Sequence, residues 1–505
     1  MLKRVIAGVV LAIVFTTGPI VPEARADGVV LVPPAQPIVN VNEVLTQLPT
    51  GERWLQHLED DLLKFWDRKE ALGEPVGNFP TYRCNDGEKV QNPPQCPELQ
   101  NPEPGIVWLD RQYVRSRNRQ VFAYGIAYNL TGKLKYLDYA RAGTDWLRKN
   151  ALDHENGGAY SYFKDYGKTP APQVSARNSQ DLAYAVTGLA FYYYLTRDAD
   201  VLSDILKMQE YIFRTYLDPA LDLLTWVKEK SPDGDLPNQR ELVAQLDQVY
   251  GYMMFLTPAL PEAMQGEFKQ KLRHLAHIMM GQFYSPREGM FWGAITNSSV
   301  KRLGTPHTDF GHTVKTLWLI YQIGKLTGDM DLVEFGRDNA GRILEKAYDS
   351  KTGSWTRCIN ADGTRDPNKE WWILAELDQV SGTLGLIDPT YARYLPSTAK
   401  YWFTYMVDHE HGGVWHWVNA ADNKPNIRFP KQHSWKNALH TFEHALVGYM
   451  TDQQIHGEEV VLHYAFGANV PPEPEIQLYF FQGKVKSITR ADDGVGYKVV
   501  FTDVR

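Results

Sequence analysis

The chain has 505 residues, long enough for one large domain or two ordinary ones, with 53 Lys and Arg against 60 Asp and Glu and a net charge of −7. No basic run occurs, which argues against nucleic acid as a partner, since that binding needs clustered Lys and Arg. Aromatic residues make up 12% of the chain, with 14 Trp, suiting either flat faces that stack on sugar rings or a large core.

The first segment reads MLKRVIAGVVLAIVF and runs to Ala24-x-Ala26. A charged start, a short apolar run and a small-residue site predict a secretory signal over residues 1–26, cut after Ala26. No later stretch reaches 18 apolar residues, so no membrane association is expected after cleavage, and the expected location is periplasmic or secreted. Residues 27–49 read as an N-terminal extension. Cys84 and Cys96 flank a polar loop, and an oxidising compartment predicts a disulfide between them; Cys358 is left over.

From residue 50 the chain repeats. DHENGGAY, YSPREGMFW, YDSKTGSW and DHEHGGVW end at Tyr160, Trp292, Trp355 and Trp415, with a weaker copy, LDPALDLLTW, ending at Trp226. Successive endpoints lie 66, 66, 63 and 60 residues apart, and GEPVGNFP near Phe79 reads as a further copy. The segments between carry helical apolar spacing, each broken in its middle, as at Leu130-Thr131-Gly132, Leu195-Thr196-Arg197-Asp198 and Leu326-Thr327-Gly328-Asp329. Six helical hairpins result. The predicted fold is all-α, an (α/α)6 barrel over residues 50–454. An open solenoid is disfavoured, because no terminal repeat looks like a polar cap. Beyond residue 454, VVLHYAF, IQLYFF, KVKSIT and YKVVFT are strand-like and Asp492-Asp493-Gly494 is a hairpin signal, predicting a small β appendage over 455–505.

In such a ring the starts of the inner helices converge on one cavity. Three segments there carry chemistry: Phe310-Gly311-His312-Thr313-Val314-Lys315 with Trp318; Lys369-Glu370-Trp371-Trp372-Ile373-Leu374-Ala375-Glu376; and Trp435-Lys436-Asn437-Ala438-Leu439-His440. With the earlier VRSRNRQVFAYGIAY, they resemble, in order, the G-H-x-x-E, K-x-W-W-x-x-A-E and W-K-x-x-x-H-x-x-R motifs of the N-acylglucosamine 2-epimerase superfamily, which includes cellobiose 2-epimerases and mannose isomerases. The resemblance covers roughly residues 50–452 and implies the same (α/α)6 barrel. It implies His312 and His440 as a catalytic pair that moves a proton at the carbon beside an open-chain sugar carbonyl, a task suited to imidazole. It implies Arg119 as stabiliser of an enediolate oxygen, Trp372 stacked on the sugar, and Glu376 binding hydroxyls or orienting a base. Trp318, Tyr184, Lys315 and Glu443 join these as candidate substrate contacts. No metal and no cofactor is expected, and the expected partner is a mono- or disaccharide or a larger glycan.

The sequence departs from the pattern in four ways. Lys315 replaces an acid and Glu443 a base, suggesting one ion pair with exchanged polarity. The helix beginning Gln180-Asp181-Leu182-Ala183-Tyr184 lacks a histidine carried by many members and held to help open the sugar ring, so either Gln180, Asp181 or Tyr184 takes its place or ring opening is lost. The export signal is the fourth. Arg115 and Arg117 beside Arg119 leave a solvated basic face as an alternative. His409, His411 and His416 read as turn residues, and His274 and His277 as structural ones. Asn297-Ser298-Ser299 matches a glycosylation pattern that carries no weight here. A glycan hydrolase or lyase would need two carboxylates from Glu376, Glu443, Asp309 and Asp181; a non-catalytic glycan-binding protein would keep the pocket alone. Finally, His440, Glu443 and His444 spell the inverted zinc-peptidase string H-x-x-E-H, which needs a third ligand on a downstream helix; none is evident.

Overall fold

The computed structural model describes residues 41–296 and 301–505. The expected signal over 1–26, most of the extension over 27–49 and the sequon Asn297-Ser298-Ser299 lie outside the described residues.

Among the described residues, twelve long helical segments form the ring, numbered here in chain order: α1 (51–66), α2 (Val114–Thr131), α3 (Leu134–Asn150), α4 (Ser179–Thr196), α5 (Ala199–Tyr216), α6 (242–256), α7 (Glu262–Ile278), α8 (Phe310–Thr327), α9 (Met330–Ala347), α10 (Trp371–Gly385), α11 (395–406) and α12 (Leu439–Ile455). Burial sorts them into two layers. The even-numbered helices α2, α4, α6, α8, α10 and α12 are buried along most of their length, largely through apolar residues, although α2 also buries Arg117, Asn118, Arg119 and Gln120. The others bury one stripe and turn a charged face outward. Five hairpins follow in sequence, and the sixth pair joins the last inner helix α12 to the first outer helix α1. The fold is an (α/α)6 barrel.

The breaks between paired helices are left-handed caps. Gly132 and Gly328 hold φ of 68° and 72°, and Arg197 takes φ 61° at the equivalent place. The repeated turns are two-residue β-hairpins or single bridges: Leu217–Asp218 with Leu223–Leu224, Tyr284–Ser285 with Met290–Phe291, Tyr348–Asp349 with Ser354–Trp355, Leu152 with Ala159, and Val407 with Val414. In four of them an aspartate, Asp153, Asp218, Asp349 or Asp408, accepts from backbone N–H groups two or three residues on. In the weak copy without glycine, Asp222 takes the left-handed conformation (φ 55°) itself.

Cys84 is bonded to Cys96, with Cα atoms 5.8 Å apart, and Cys358 is free and buried. No helix of the described residues is long and apolar enough to cross a membrane. The tail folds against the barrel. Its strands β1 (Val460–Tyr464), β2 (Lys484–Arg490) and β3 (Tyr497–Thr502) form an antiparallel sheet in the order β1-β3-β2. Asp493 Oδ1 closes the β2–β3 hairpin by accepting from Val495 and Gly496. IQLYFF is not a strand. Ile476, Leu478, Tyr479, Phe480 and Phe481 are all buried, and Phe480 has φ 61°, so the segment plugs the barrel as irregular chain. A strand with one solvated face would have buried only alternate residues.

Candidate active site

A cavity of about 340 Å³ opens at the starts of the inner helices, within the usual size of a small-molecule site (roughly 300–1,000 Å³). Its walls include Arg119, Tyr184, His312, Lys315, Trp372 and His440 among the sequence candidates. Much of it is built on one register. Arg119, Tyr184, Asp247, Lys315 and Glu376 are each the sixth residue of their inner helix. They touch one another or His440. The Arg119 guanidinium lies 3.6 Å over the Tyr184 ring, Lys315 Nζ is 3.6 Å from Asp247 Oδ1, and Glu376 Oε1 is 3.2 Å from His440 Nδ1.

His312 is the third residue of α8. Asp309 caps that helix, accepting the His312 backbone N–H at 2.8 Å on Oδ1 and meeting His312 Nδ1 at 2.7 Å with Oδ2. Burial lowers the His312 pKa, and Asp309 opposes that shift. His440 is the second residue of α12. Its pKa is pushed well below the usual value by burial and then by the nearby charges of Lys315 and Arg119. Trp372 stands beside both, with ring centroids 4.6 Å from His312 and 5.9 Å from His440, and donates its indole N–H to Glu370 at 2.9 Å. Burial pushes the Glu370 carboxyl up to about 7, against the pull of Arg357.

Behind His440 lies a buried polar shell. Tyr250, in a π-helical turn (Val249–Met253), donates its hydroxyl proton to Glu443 Oε2 while its oxygen lies 3.1 Å from His440 Nδ1. Tyr479 from the tail donates to Glu443 Oε1 at 2.6 Å. Burial raises Glu443 to about 7, opposed by these two hydrogen bonds; burial and then Glu443 raise Glu376 well above the usual carboxylate range.

Several expectations change. Lys315 and Glu443 do not form an ion pair: the carboxylate at Lys315 is Asp247, and both Glu443 oxygens are taken by tyrosine hydroxyls. Tyr250 stands between the two, donating to Glu443 while its ring carries Lys315 Nζ at 4.3 Å. Trp318, expected to touch sugar, is not a cavity wall; its ring packs on Phe480 at 5.2 Å, one layer below. Glu376 and Glu443 are also absent from the walls and stand behind His440 instead. Lys369 and Glu370 pair as a short strand with Trp417 and Val418, so α10 starts at Trp371; Trp435 and Lys436 likewise precede α12.

The basic segment is no solvated face. Arg119 is buried and donates to the Trp435 carbonyl at 2.7 Å, Arg117 is buried over Trp146, and Arg115 pairs with Asp181 at 3.2 Å. His416, read as a turn residue, is buried behind the cavity, its Nδ1 3.0 Å from His433 Nε2 and its Nε2 3.7 Å from Glu370. His444 faces away, with Nε2 3.2 Å from Asp378 and its ring against Trp54 and Trp402. The zinc-peptidase pairing of His440 with His444 is therefore not formed. A different set, Glu376, His440 and Glu443, has ligand atoms within 4.8 Å of one another, but the tyrosine hydroxyls occupy Glu443. Asp247, Tyr250, His307 and Tyr479 were missed as site residues, while Trp435, already part of a matched motif, proves to be a cavity wall. Only Asp247 carried a signal, sharing the register of Arg119, Tyr184 and Lys315 within its helix.

An all-helical double ring around one polar well, walled by histidine, tryptophan and arginine, defines an (α/α)6-barrel protein with a small-ligand site. The family model for N-acylglucosamine 2-epimerase (GlcNAc 2-epimerase) matches residues 102–440, and the chain belongs to that family. It is 22% identical over 344 residues to a cellobiose 2-epimerase of Ruminococcus albus, covering 64% of this chain and 83% of that protein. To the cellobiose 2-epimerase of Dictyoglomus turgidum it is 22% identical over 404 residues, covering 76% and 94%. Among solved structures, a cellobiose 2-epimerase from Spirochaeta thermophila superposes with a TM-score of 0.66 at 17% identity, covering 83% of this chain and all of that one. A D-mannose isomerase gives 0.63 at 17% identity, covering 79% and 97%. These likenesses show the fold.

Proposed function

We propose that the protein is an exported sugar 2-epimerase or isomerase that transfers a proton at C2 of an open-chain aldose through an enediolate. The observation that carries this reading is the pair His312 and His440, which flank Trp372 on one cavity, each with Nδ1 held from behind and Nε2 left for the ligand. Buried neutral imidazoles are suited to act as bases near neutral pH. One histidine takes the C2 proton; the electron pair passes to the carbonyl oxygen as an enediolate. The other returns a proton to the opposite face, inverting C2. Two bases favour epimerisation, whereas transfer along one face would give the ketose. Arg119 forms no ion pair among the described residues, which leaves its charge for the enediolate oxygen. Trp372 offers an apolar face to the sugar. The carboxylates on the cavity wall are engaged already, Asp309 by His312, Asp247 by Lys315 and Gln180, and Glu370 by Trp372, which disfavours a two-carboxylate hydrolase.

The relatives named cellobiose 2-epimerase make cellobiose the first substrate to try, with mannose and glucose beside it. The test is product analysis across that panel. The account expects the C2 epimer or the ketose from at least one sugar; new reducing ends from a polymer, with no C2 product from any sugar, would overturn it. Export through the segment at 1–26 is part of the same proposal, and N-terminal sequencing of the protein from its native compartment should find Asp27 first.

A further inference from the structure

The tail lies beyond the family match, which ends at residue 440, yet one of its side chains reaches the shell behind His440. Phe480, in a left-handed conformation, and Tyr479 stack at 4.1 Å and enter the barrel together, Tyr479 against Phe122, Phe191 and Phe255 and Phe480 against Trp318. An apolar plug would need no polar group. This one carries a hydroxyl, and it ends on Glu443.

The hydrogen-bond directions then follow from donor supply. Tyr250 has one hydroxyl proton, and it goes to Glu443. With that proton committed, the Tyr250 oxygen accepts from His440 Nδ1, and Glu376 Oε1, 3.2 Å from the same nitrogen, is a second acceptor there; both favour the His440 proton on Nδ1, which leaves Nε2 as a base facing the cavity. If Glu443 gains a proton on Oε2, it donates to Tyr250, which then turns its own proton toward His440 Nδ1. His440 then carries its proton on Nε2 and cannot act as a base.

We infer that Tyr479 is a positioning residue: by donating to Glu443 it keeps that carboxylate ionised and, through Tyr250, holds His440 in its basic tautomer. This rests on the reading of His440 as a base. The groups that face Glu443 come from every neighbouring element. Tyr250 of α6, Lys315 of α8, Glu376 and Gln379 of α10, the tail's Tyr479 and His440 on its own helix act on it directly, while Asp247 of α6, Tyr184 of α4 and Arg119 of α2 act on its neighbours Glu376, Tyr250 and His440. Lys315 favours the ionised carboxylate and Glu376 opposes a second charge nearby. Removing the Tyr479 hydroxyl takes away one of the two donors that hold Glu443 down, so its protonation moves to higher pH.

The experiment uses the whole protein labelled with ¹⁵N-histidine, without substrate, so that it stands apart from whether any sugar turns over. Wild type should show the His440 tautomer switching near pH 7, Nδ1–H above and Nε2–H below. Tyr479→Phe should move that midpoint up by one pH unit or more, and the pH profile of C2 exchange should follow. Glu443→Gln should show no switch at all. Tyr128→Phe removes a hydrogen bond to the Tyr464 carbonyl of the same tail, outside this shell, and should leave the midpoint where it is. An unmoved midpoint in Tyr479→Phe, an equal shift in Tyr128→Phe, or a switch persisting in Glu443→Gln would each overturn the inference.

Discussion

His312 shows how one capping contact serves two purposes. Asp309 stops the helix with one oxygen and holds the imidazole with the other. Its charge opposes the lowering that burial imposes on His312. Asp309→Asn keeps the cap and removes the charge, so the His312 titration followed by NMR should move to lower pH. The plateau rate of C2 exchange should fall roughly 10²-fold, the lower end of what a positioned acid–base group contributes. The acid limb of the rate, assigned above to Glu443, should stay in place. A His312 midpoint that does not fall would contradict the pairing. At this scale much of the site was legible in the sequence, because His312, Trp372 and His440 sit in ordered motifs. Tyr250 and Tyr479 were not, since a lone tyrosine in an apolar run reads as core, and only the fold brings residues 250, 440 and 479 together.

Among the elements, the closest inner–outer approaches depend on small residues. A Cβ on Gly448 of α12 would lie 2.4 Å from the Trp54 indole of α1, whereas one on Gly328 would meet nothing within 4 Å but would strain a φ of 72°. Gly448→Ala should therefore destabilise by overpacking, about 1–3 kcal/mol, and Gly328→Ala by about 1 kcal/mol from conformation alone. Urea titrations of the two variants check this; a larger loss for Gly328→Ala would mean that α12 and α1 are not close-packed. The hairpin repeat was readable because the turn needs an aspartate acceptor and a left-handed residue at fixed spacing, and both leave their mark in sequence. IQLYFF reads as a strand because a short, mostly apolar run does not reveal what buries it.

For the whole molecule, closure of the ring joins the chain's first barrel helix to its last. The Trp54 indole donates to Asp452 Oδ2 at 2.6 Å, and burial pushes the Asp452 carboxyl up to about 8. An unfolded aspartate titrates near 3.9. The folded protein therefore keeps a proton between about pH 4 and 8 that the unfolded chain releases, and this contribution to stability is lost as pH rises through that window. Asp452→Asn can still accept from Trp54 without that dependence. Its melting temperature should match wild type near pH 4 and exceed it increasingly toward pH 8; a constant difference would contradict a protonated Asp452.

That closed ring places His312 and His440 on one cavity, and their pairing is the central claim. The most direct measurement is deuterium incorporation at C2 in D₂O, on the aldose the protein turns over, for wild type, His312→Asn and His440→Asn. The account predicts incorporation by wild type and a loss of at least 10²-fold in each variant at unchanged melting temperature. Exchange near the wild-type rate in either variant, or turnover without any C2 deuterium, would contradict it.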